Sequence, residues 1–357
     1  MFEKTLTVEA RSVPNVVFSG DADSIVVPYN GHGSSRSATL YYHYPCFDGL
    51  VSAAMAWDFL EHRASWQIEH AEAVNYDVAR TWTAQRLRER SAVVDFLYHP
   101  QATFWADHHP TTFVDGEFSA VARTDRMLLY DSASPSCASL LWHRFGETLS
   151  DPRRFADMAG WADRIDAARY ESVHEALFGD EPALTINTSL LHDADSSYGA
   201  FVLAALRARS LVEVANAAPV RSRAEQVWAR TQRGLELVRT ASVLRPGSIA
   251  TFSVAPDRDA VVNRYSAYAV YPDARYSVAL VRENGRSKIT AMRNPWRDFE
   301  SVHLGGIFRS YGGGGHQRVA SVLVPQGDTN PTRMAERIID EIRLADEATV
   351  ATADRPA

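Results

Sequence analysis

The stretch "ATLYYHYPCFDGLVSAAMAWDFLEH" (residues 38–62) opens with an apolar run of strand character. It turns sharply at "PCFDG" and continues with helical periodicity. Strand, tight turn and helix in that order form half of a parallel β/α unit. Working outward, "SWQIEHAEAV" reads as a second extended stretch, followed by a helical segment over 78–90. Two short strands come next, at "SAVVDF" and "ATFWADHH". Strands alternating with helices predict a parallel sheet covered on both faces, and such sheets gather functional groups at the carboxyl ends of their strands.

Helical stretches then dominate, at "SCASLLWHRFGE", "DPRRFADMAGWADRIDAARY" and residues 198–215. A charged helical run over 221–240 is broken by "LRPGS". Beyond it, "RYSVALVREN", "SKITAMRN" and "SVLVP" suggest a smaller sheet. The expected fold is α/β in two domains, the larger with a parallel sheet and the smaller with a mixed sheet, with a cleft between them. Its divisions are an irregular extension over 1–35, a larger domain over 36–220, a helical linker over 221–246, a smaller domain over 247–345 and a frayed tail over 346–357.

At 357 residues, 46% hydrophobic and 23% charged, the chain has the composition of a packed globular protein. The net charge of -7 argues against a broad face for long nucleic acid, so an anionic substrate must be small or locally held. No run of about 18 apolar residues suggests a membrane span, and "MFEKTLTVEARS" lacks a secretion signal, which places the chain in the cytoplasm. Two cysteines, Cys46 and Cys137, are too few for a disulfide framework.

Four motifs put metal-binding side chains where strands end or helices begin. They are "HYPCFDG" with His43 and Asp48, "VVDF" with Asp95, "ADHHP" with Asp107, His108 and His109, and "WADRID" with Asp163 and Asp166. A single aspartate at a strand end is more often a helix cap or a turn former. Recurrence at successive strand ends favours a shared site. Mixed carboxylate and imidazole ligands suit manganese, and also zinc, iron or cobalt. Two such ions about 3.5–4 Å apart generate a hydroxide and clamp a phosphoryl group, so the implied chemistry is phosphoester hydrolysis.

Together, "HYPCFDGLVSA", "VVDF", "ADHHPTT" and "ADRID" resemble the DHH phosphoesterase superfamily, and "GGGGHQRVAS" resembles the glycine motif of its associated C-terminal domain. The resemblance implies that His43 binds one metal and Asp48 the second, with Asp95 bridging. It makes His108 and Asp163 further ligands of the second metal, Asp107 a group that orients an imidazole, and His109 a contact to the scissile phosphate. Asp166 is the alternative to Asp163. The implied cofactor is a pair of divalent ions, manganese first. Cys46 stands where the family's first motif carries an aspartate. Three readings stay open there: it ligates, it lines the site, or the first metal is weak or absent.

Four glycines in succession cost backbone entropy, and they suit a place where a ligand approaches the main chain closely. Here Gly312 to Gly315 run into His316 and a helix-like "QRVAS", which would make an anion nest opening onto a helix. By resemblance Gly313, Gly314, Gly315, His316 and Arg293 bind substrate. Phe308 and Tyr311 are candidates for stacking on a base. The expected activity is metal-dependent hydrolysis of short single-stranded oligonucleotides or small nucleotides, as in nanoRNase and pAp phosphatase enzymes, by attack of a metal-bound hydroxide. The alternatives are a cyclic dinucleotide phosphodiesterase and an inactive nucleotide sensor. No membrane partner is expected, and a homodimer is left open.

Overall fold

The computed structural model describes residues 24–27, 37–88, 90–113, 127–283, 285–315, 317–324 and 330–353. Apart from 24–27, the extension over 1–35 lies outside the described residues, as does His316. The chain forms two compact units, one of residues 1–167 with 193–220, the other of 168–192 with 221–357.

The first unit is built on six strands, β1 (Ser24–Val27), β2 (Ser37–His43), β3 (Gln67–Val74), β4 (Ser91–Val94), β5 (Phe104–Asp107) and β6 (Met127–Asp131). Their order is β1-β6-β5-β4-β2-β3. All neighbours pair in parallel except β1, which runs antiparallel along β6. The central strand β4 is buried at every position, as a strand covered on both faces must be. Its helices are α1 (Phe47–His62), α2 (Cys137–Phe145), α3 (Pro152–Asp166), and, after α4 (Val173–Phe178) and α5 (Pro182–Leu190) of the other unit, α6 (Ser196–Ala208) and α7 (Leu211–Ala215). The parallel sheet deduced from residues 38–62 is therefore present.

The helix expected over 78–90 is replaced by two short 3-10 turns, Tyr76–Val78 and Trp82–Ala84. Trp82 explains the difference. Its ring is fully buried and its indole N–H donates to the Leu97 carbonyl at 2.9 Å, so the segment is held by tertiary contacts and not by its own helical ladder.

In the second unit, α8 (Ala218–Ala241) leads to β7 (Val243–Arg245), β8 (Ile249–Val254), α9 (Ser266–Val270), β9 (Tyr276–Glu283), β10 (Arg286–Arg293), α10 (Leu304–Arg309), β11 (Gly314–Gly315), β12 (Val319–Val324) and α11 (Pro331–Ala353). The sheet order is β11-β12-β10-β9-β8-β7, mixed because β8 and β9 are parallel. Alternate residues Val278, Leu280, Ile289 and Val322 face a core with Phe308, Ile338 and Ile342. Leu177 of α4 is buried with Leu235, Val238 and Phe252, which is why residues 168–192 group here.

Two expectations change in this unit. "QRVAS" runs into strand β12 and not into a helix, because Ala320, Val322 and Val324 alternate inward with period two. The end of the chain is helical as far as Ala353, held by buried Asp346, which accepts bonds from Arg275 and from the Tyr276 hydroxyl at 2.7 Å. Among the described residues no helix is long and apolar enough to cross a membrane.

Candidate metal centre

From β2 the chain crosses outward to β3 and then returns to β4 on the other side of β2. That reversal opens a crevice at the carboxyl ends of β2 and β4, the usual place for ligands in open parallel sheets. His43 ends β2, Asp95 follows β4, and Asp107 ends β5. His43 Nδ1 and Asp95 Oδ2 meet across the crevice at 3.2 Å. Gly49 lets α1 start this close to β2, since a Cβ there would lie 2.1 Å from the His43 carbonyl oxygen. Asp95 itself has φ +54, a left-handed conformation that costs about 1 kcal/mol or more outside glycine.

Asp48, in the first turn of α1, accepts the backbone N–H groups of Cys137 and Ala138 at 2.8 Å each. These open α2, so the carboxylate sits at the positive end of a helix. His108 holds its Nδ1 3.0 Å from the Ser134 carbonyl. A carbonyl only accepts, so Nδ1 carries the proton. The other ring nitrogen, Nε2, faces Asp166 Oδ2 at 3.4 Å, Asp48 Oδ2 at 3.7 Å and Asp95 Oδ1 at 3.8 Å.

Asp107 accepts from the backbone N–H of His108 at 2.8 Å and pairs with His109 Nδ1 at 2.8 Å. Burial works against a charge on His109, but the hydrogen bond and charge of Asp107 outweigh it and push the imidazole up to about 9. His43 moves the other way, to about 4, because it is buried and close to His109. Its ring is therefore neutral at pH 7. Burial, and then the charges of Asp48, Asp107 and Asp166, raise Asp95 well above the ordinary carboxylate range. Burial and the carboxylates of Asp95 and Asp48 also raise the Cys46 thiol.

Among the described residues the ligand atoms fall into three groups, each within 4.8 Å: His43, Cys46 and Asp95; Asp48, His108 and Asp166; and Asp95, Asp107, His108 and His109. Asp95 Oδ1, Asp107 Oδ2 and His108 Nε2 are buried and make no hydrogen bond. Burying carboxylate oxygens and a ring nitrogen against one another without partners costs several kcal/mol. Cations in these groups would relieve that cost. The donor set, oxygen and nitrogen with a single sulfur, fits divalent manganese, zinc, iron or cobalt.

One preference of the sequence reading is reversed. Asp163 does not join any of these groups, because its carboxylate accepts the hydroxyls of Ser136 and, at 3.1 Å, Ser139. Asp166, three residues further along α3, reaches His108 instead. The sequence reading also missed Tyr76. Its ring packs edge-on against His43 with centroids 5.1 Å apart, and although the side chain is 43% exposed, partial desolvation followed by the Asp107 and Asp95 charges raises its phenol. Its place just beyond the end of β3 was the available signal.

The second unit carries a separate cavity of about 720 Å³ on the open face of its sheet. Gly314 and Gly315 line it with Lys288, Arg286, Arg264 and Ser321. Gly313 is packed behind, where a Cβ would sit 2.5 Å from the Ser321 carbonyl oxygen. Arg293 is 7% exposed, and its guanidinium donates to the carbonyls of Asn294 at 2.9 Å and Phe299 at 2.8 Å while lying over the Phe299 ring. Phe308 is fully buried in the core and offers no base-stacking face, whereas Tyr311 is partly buried and donates to Glu341 at 2.6 Å.

No protein-family model matches the chain, and no curated protein matches its sequence. Solved structures do. It is similar to PggH, a pGpG-specific phosphodiesterase from Vibrio cholerae, at 18% identity and a TM-score of 0.64, over 87% of this chain and 99% of that one. RecJ from Thermus thermophilus, in complex with Mn2+, is similar at 14% identity and a TM-score of 0.53, over 87% of this chain and 52% of RecJ. The DHH domain of a protein described as a member of the s1p family of ribosomal proteins is similar at 12% identity and a TM-score of 0.55, over 86% of this chain and 87% of that one. The likeness is one of fold, and one of these structures is described as a DHH domain.

Proposed function

We propose that the chain is a metal-dependent phosphodiesterase acting on short oligonucleotides or small nucleotides. The observation that carries this reading is the set of buried, unbonded ligand atoms, Asp95 Oδ1 and His108 Nε2 above all, which lie 3.8 Å apart with Asp48 and Asp166 beside them. His43 and Asp95, with Cys46 beside them, would hold one divalent ion, and Asp48, His108, Asp166 and Asp95 the other. Bound there, the ions would lower the pKa of water and neutralise a phosphate.

The chain's own residues would do the rest. Asp107 fixes His109 through Nδ1, which leaves the Nε2–H of a charged ring to donate to a phosphate oxygen. Tyr76, kept as a phenol beside His43, supplies a second donor at the rim. In the second unit, Lys288, Arg286 and the exposed backbone of Gly314 offer positive charge and close approach for a phosphate or a sugar.

Among substrates, a linear dinucleotide such as pGpG is the first to test, since the likeness to a pGpG phosphodiesterase extends over 99% of that enzyme. The test is hydrolysis of pGpG, pAp, short RNA and DNA oligomers and cyclic dinucleotides, with manganese, zinc, iron or cobalt, beside an Asp95→Ala control. Turnover lost in the control supports the reading. Nucleotide binding without turnover under every metal would refute it and leave a sensor.

A further inference from the structure

Cys46 occupies the N-cap of α1 with extended angles, φ -148 and ψ 134, yet its side chain makes no capping bond. Serine, threonine, aspartate and asparagine are the residues that stabilise this position, so capping does not account for a cysteine. The thiol is directed elsewhere. Its sulfur, a His43 nitrogen and an Asp95 oxygen lie within 4.8 Å of one another. Asp95 is 1% exposed and its Oδ1 has no hydrogen-bond partner. The other three-residue group, Asp48, His108 and Asp166, contains no sulfur.

We infer that Cys46 Sγ is a metal ligand, and that the two metal positions are chemically unlike. The His43, Cys46 and Asp95 position favours zinc or ferrous iron. The Asp48, His108 and Asp166 position is built for a harder ion such as manganese. This rests on the metal-centre reading proposed above and extends it to the identity of the ions. Thiolate is a soft donor that selects zinc and iron, whereas carboxylate and imidazole alone accept manganese. Ligation exchanges the S–H bond for a sulfur–metal bond and releases the proton to water, with no change of oxidation state.

Cys137, the other cysteine, is a built-in control. It is buried, and its thiol donates to the Ala106 carbonyl at 3.3 Å, outside all three ligand groups.

The experiment uses the full chain, stripped of metal and titrated with cobalt(II) while its absorption is recorded. A near-ultraviolet sulfur-to-cobalt charge-transfer band should appear, vanish in Cys46→Ser and persist in Cys137→Ser. Serine suits an N-cap, so the first variant should keep its fold, which circular dichroism checks. Zinc is generally bound more tightly than manganese, so the second arm compares variants: Cys46→Asp should lower the zinc-over-manganese preference by about tenfold or more in metal-competition analysis. Two cobalt ions bound without the band, or a band unchanged in Cys46→Ser, would overturn the inference and leave the two-metal reading standing. Absence of any cobalt binding would overturn both.

Discussion

His108 Nδ1 lies 3.0 Å from the carbonyl oxygen of Ser134, and this contact determines what the other side of the ring can do. With Nδ1 turned to that carbonyl, Nε2 is turned to Asp48, Asp95 and Asp166. Three carboxylates converging on one ring nitrogen make a place for a cation, either a proton or a metal ion. Replacing the ring by His108→Ala should therefore lower bound metal by about one ion per chain and cut hydrolysis by at least about 100-fold, an effect larger than the 10- to 100-fold typical of groups that only orient a ligand. Elemental analysis of the dialysed protein beside a rate measurement checks both.

Asp163 and Asp166 stand one turn apart on α3 and should give opposite phenotypes. Asp163 receives the hydroxyls of Ser136 and Ser139 at the start of α2, the helix whose N–H groups hold Asp48. Asp163→Asn should cost about 1–3 kcal/mol of stability while metal content is retained. Asp166→Asn should do the reverse, losing metal with little change in melting temperature. Thermal denaturation paired with metal analysis separates them, and equal metal loss in both would contradict the geometry.

These two aspartates also mark where the sequence stops being legible. His43, Asp48, Asp95, Asp107 and His108 were readable because a parallel sheet collects whatever lies at its strand ends, and short motifs locate those ends within a residue or two. Asp163 and Asp166 share one helical face, and only the rotation of α3 against Ser136 decides which of them points at His108. Burial was equally invisible for Arg293 and Phe308. Arginine on a strand end suggests a phosphate until its guanidinium is seen bonded to the carbonyls of Asn294 and Phe299. Around the glycine run the error was one of period, since Ala320, Val322 and Val324 alternate inward and specify a strand.

His109 gives a pH test in the metal-free chain. Its folded value, about 9, lies above the ordinary 6.5, so protonation favours the fold. That stabilisation is complete below about pH 6.5 and is lost as pH rises through about 9, amounting to no more than about 3 kcal/mol. Asp95, also raised, adds loss in the same direction. The difference between wild type and His109→Gln isolates the histidine. Denaturant melts of both, freed of metal, should converge as pH approaches 9 to 10; a constant gap from pH 6 to 10 would show that the Asp107 pair does not hold the proton.

Neighbouring glycines of β11 separate folding from binding. Gly315 has φ +145, and a Cβ there would lie 2.4 Å from the Val319 carbonyl oxygen, so Gly315→Ala should cost about 1–3 kcal/mol. Gly314 has open space around an added methyl and yet lines the cavity with Lys288 and Arg286. Gly314→Ala should leave stability within about 0.5 kcal/mol of wild type. If substrate lies against that strand, the same methyl stands in its way, and KM should rise by about tenfold with kcat nearly unchanged, the pattern of lost uniform binding. Lys288→Ala should raise KM in the same sense, and more steeply at low ionic strength, where an exposed charge is less screened. Unaltered KM in both variants, with the fold intact, would remove the open face of the second sheet from substrate binding.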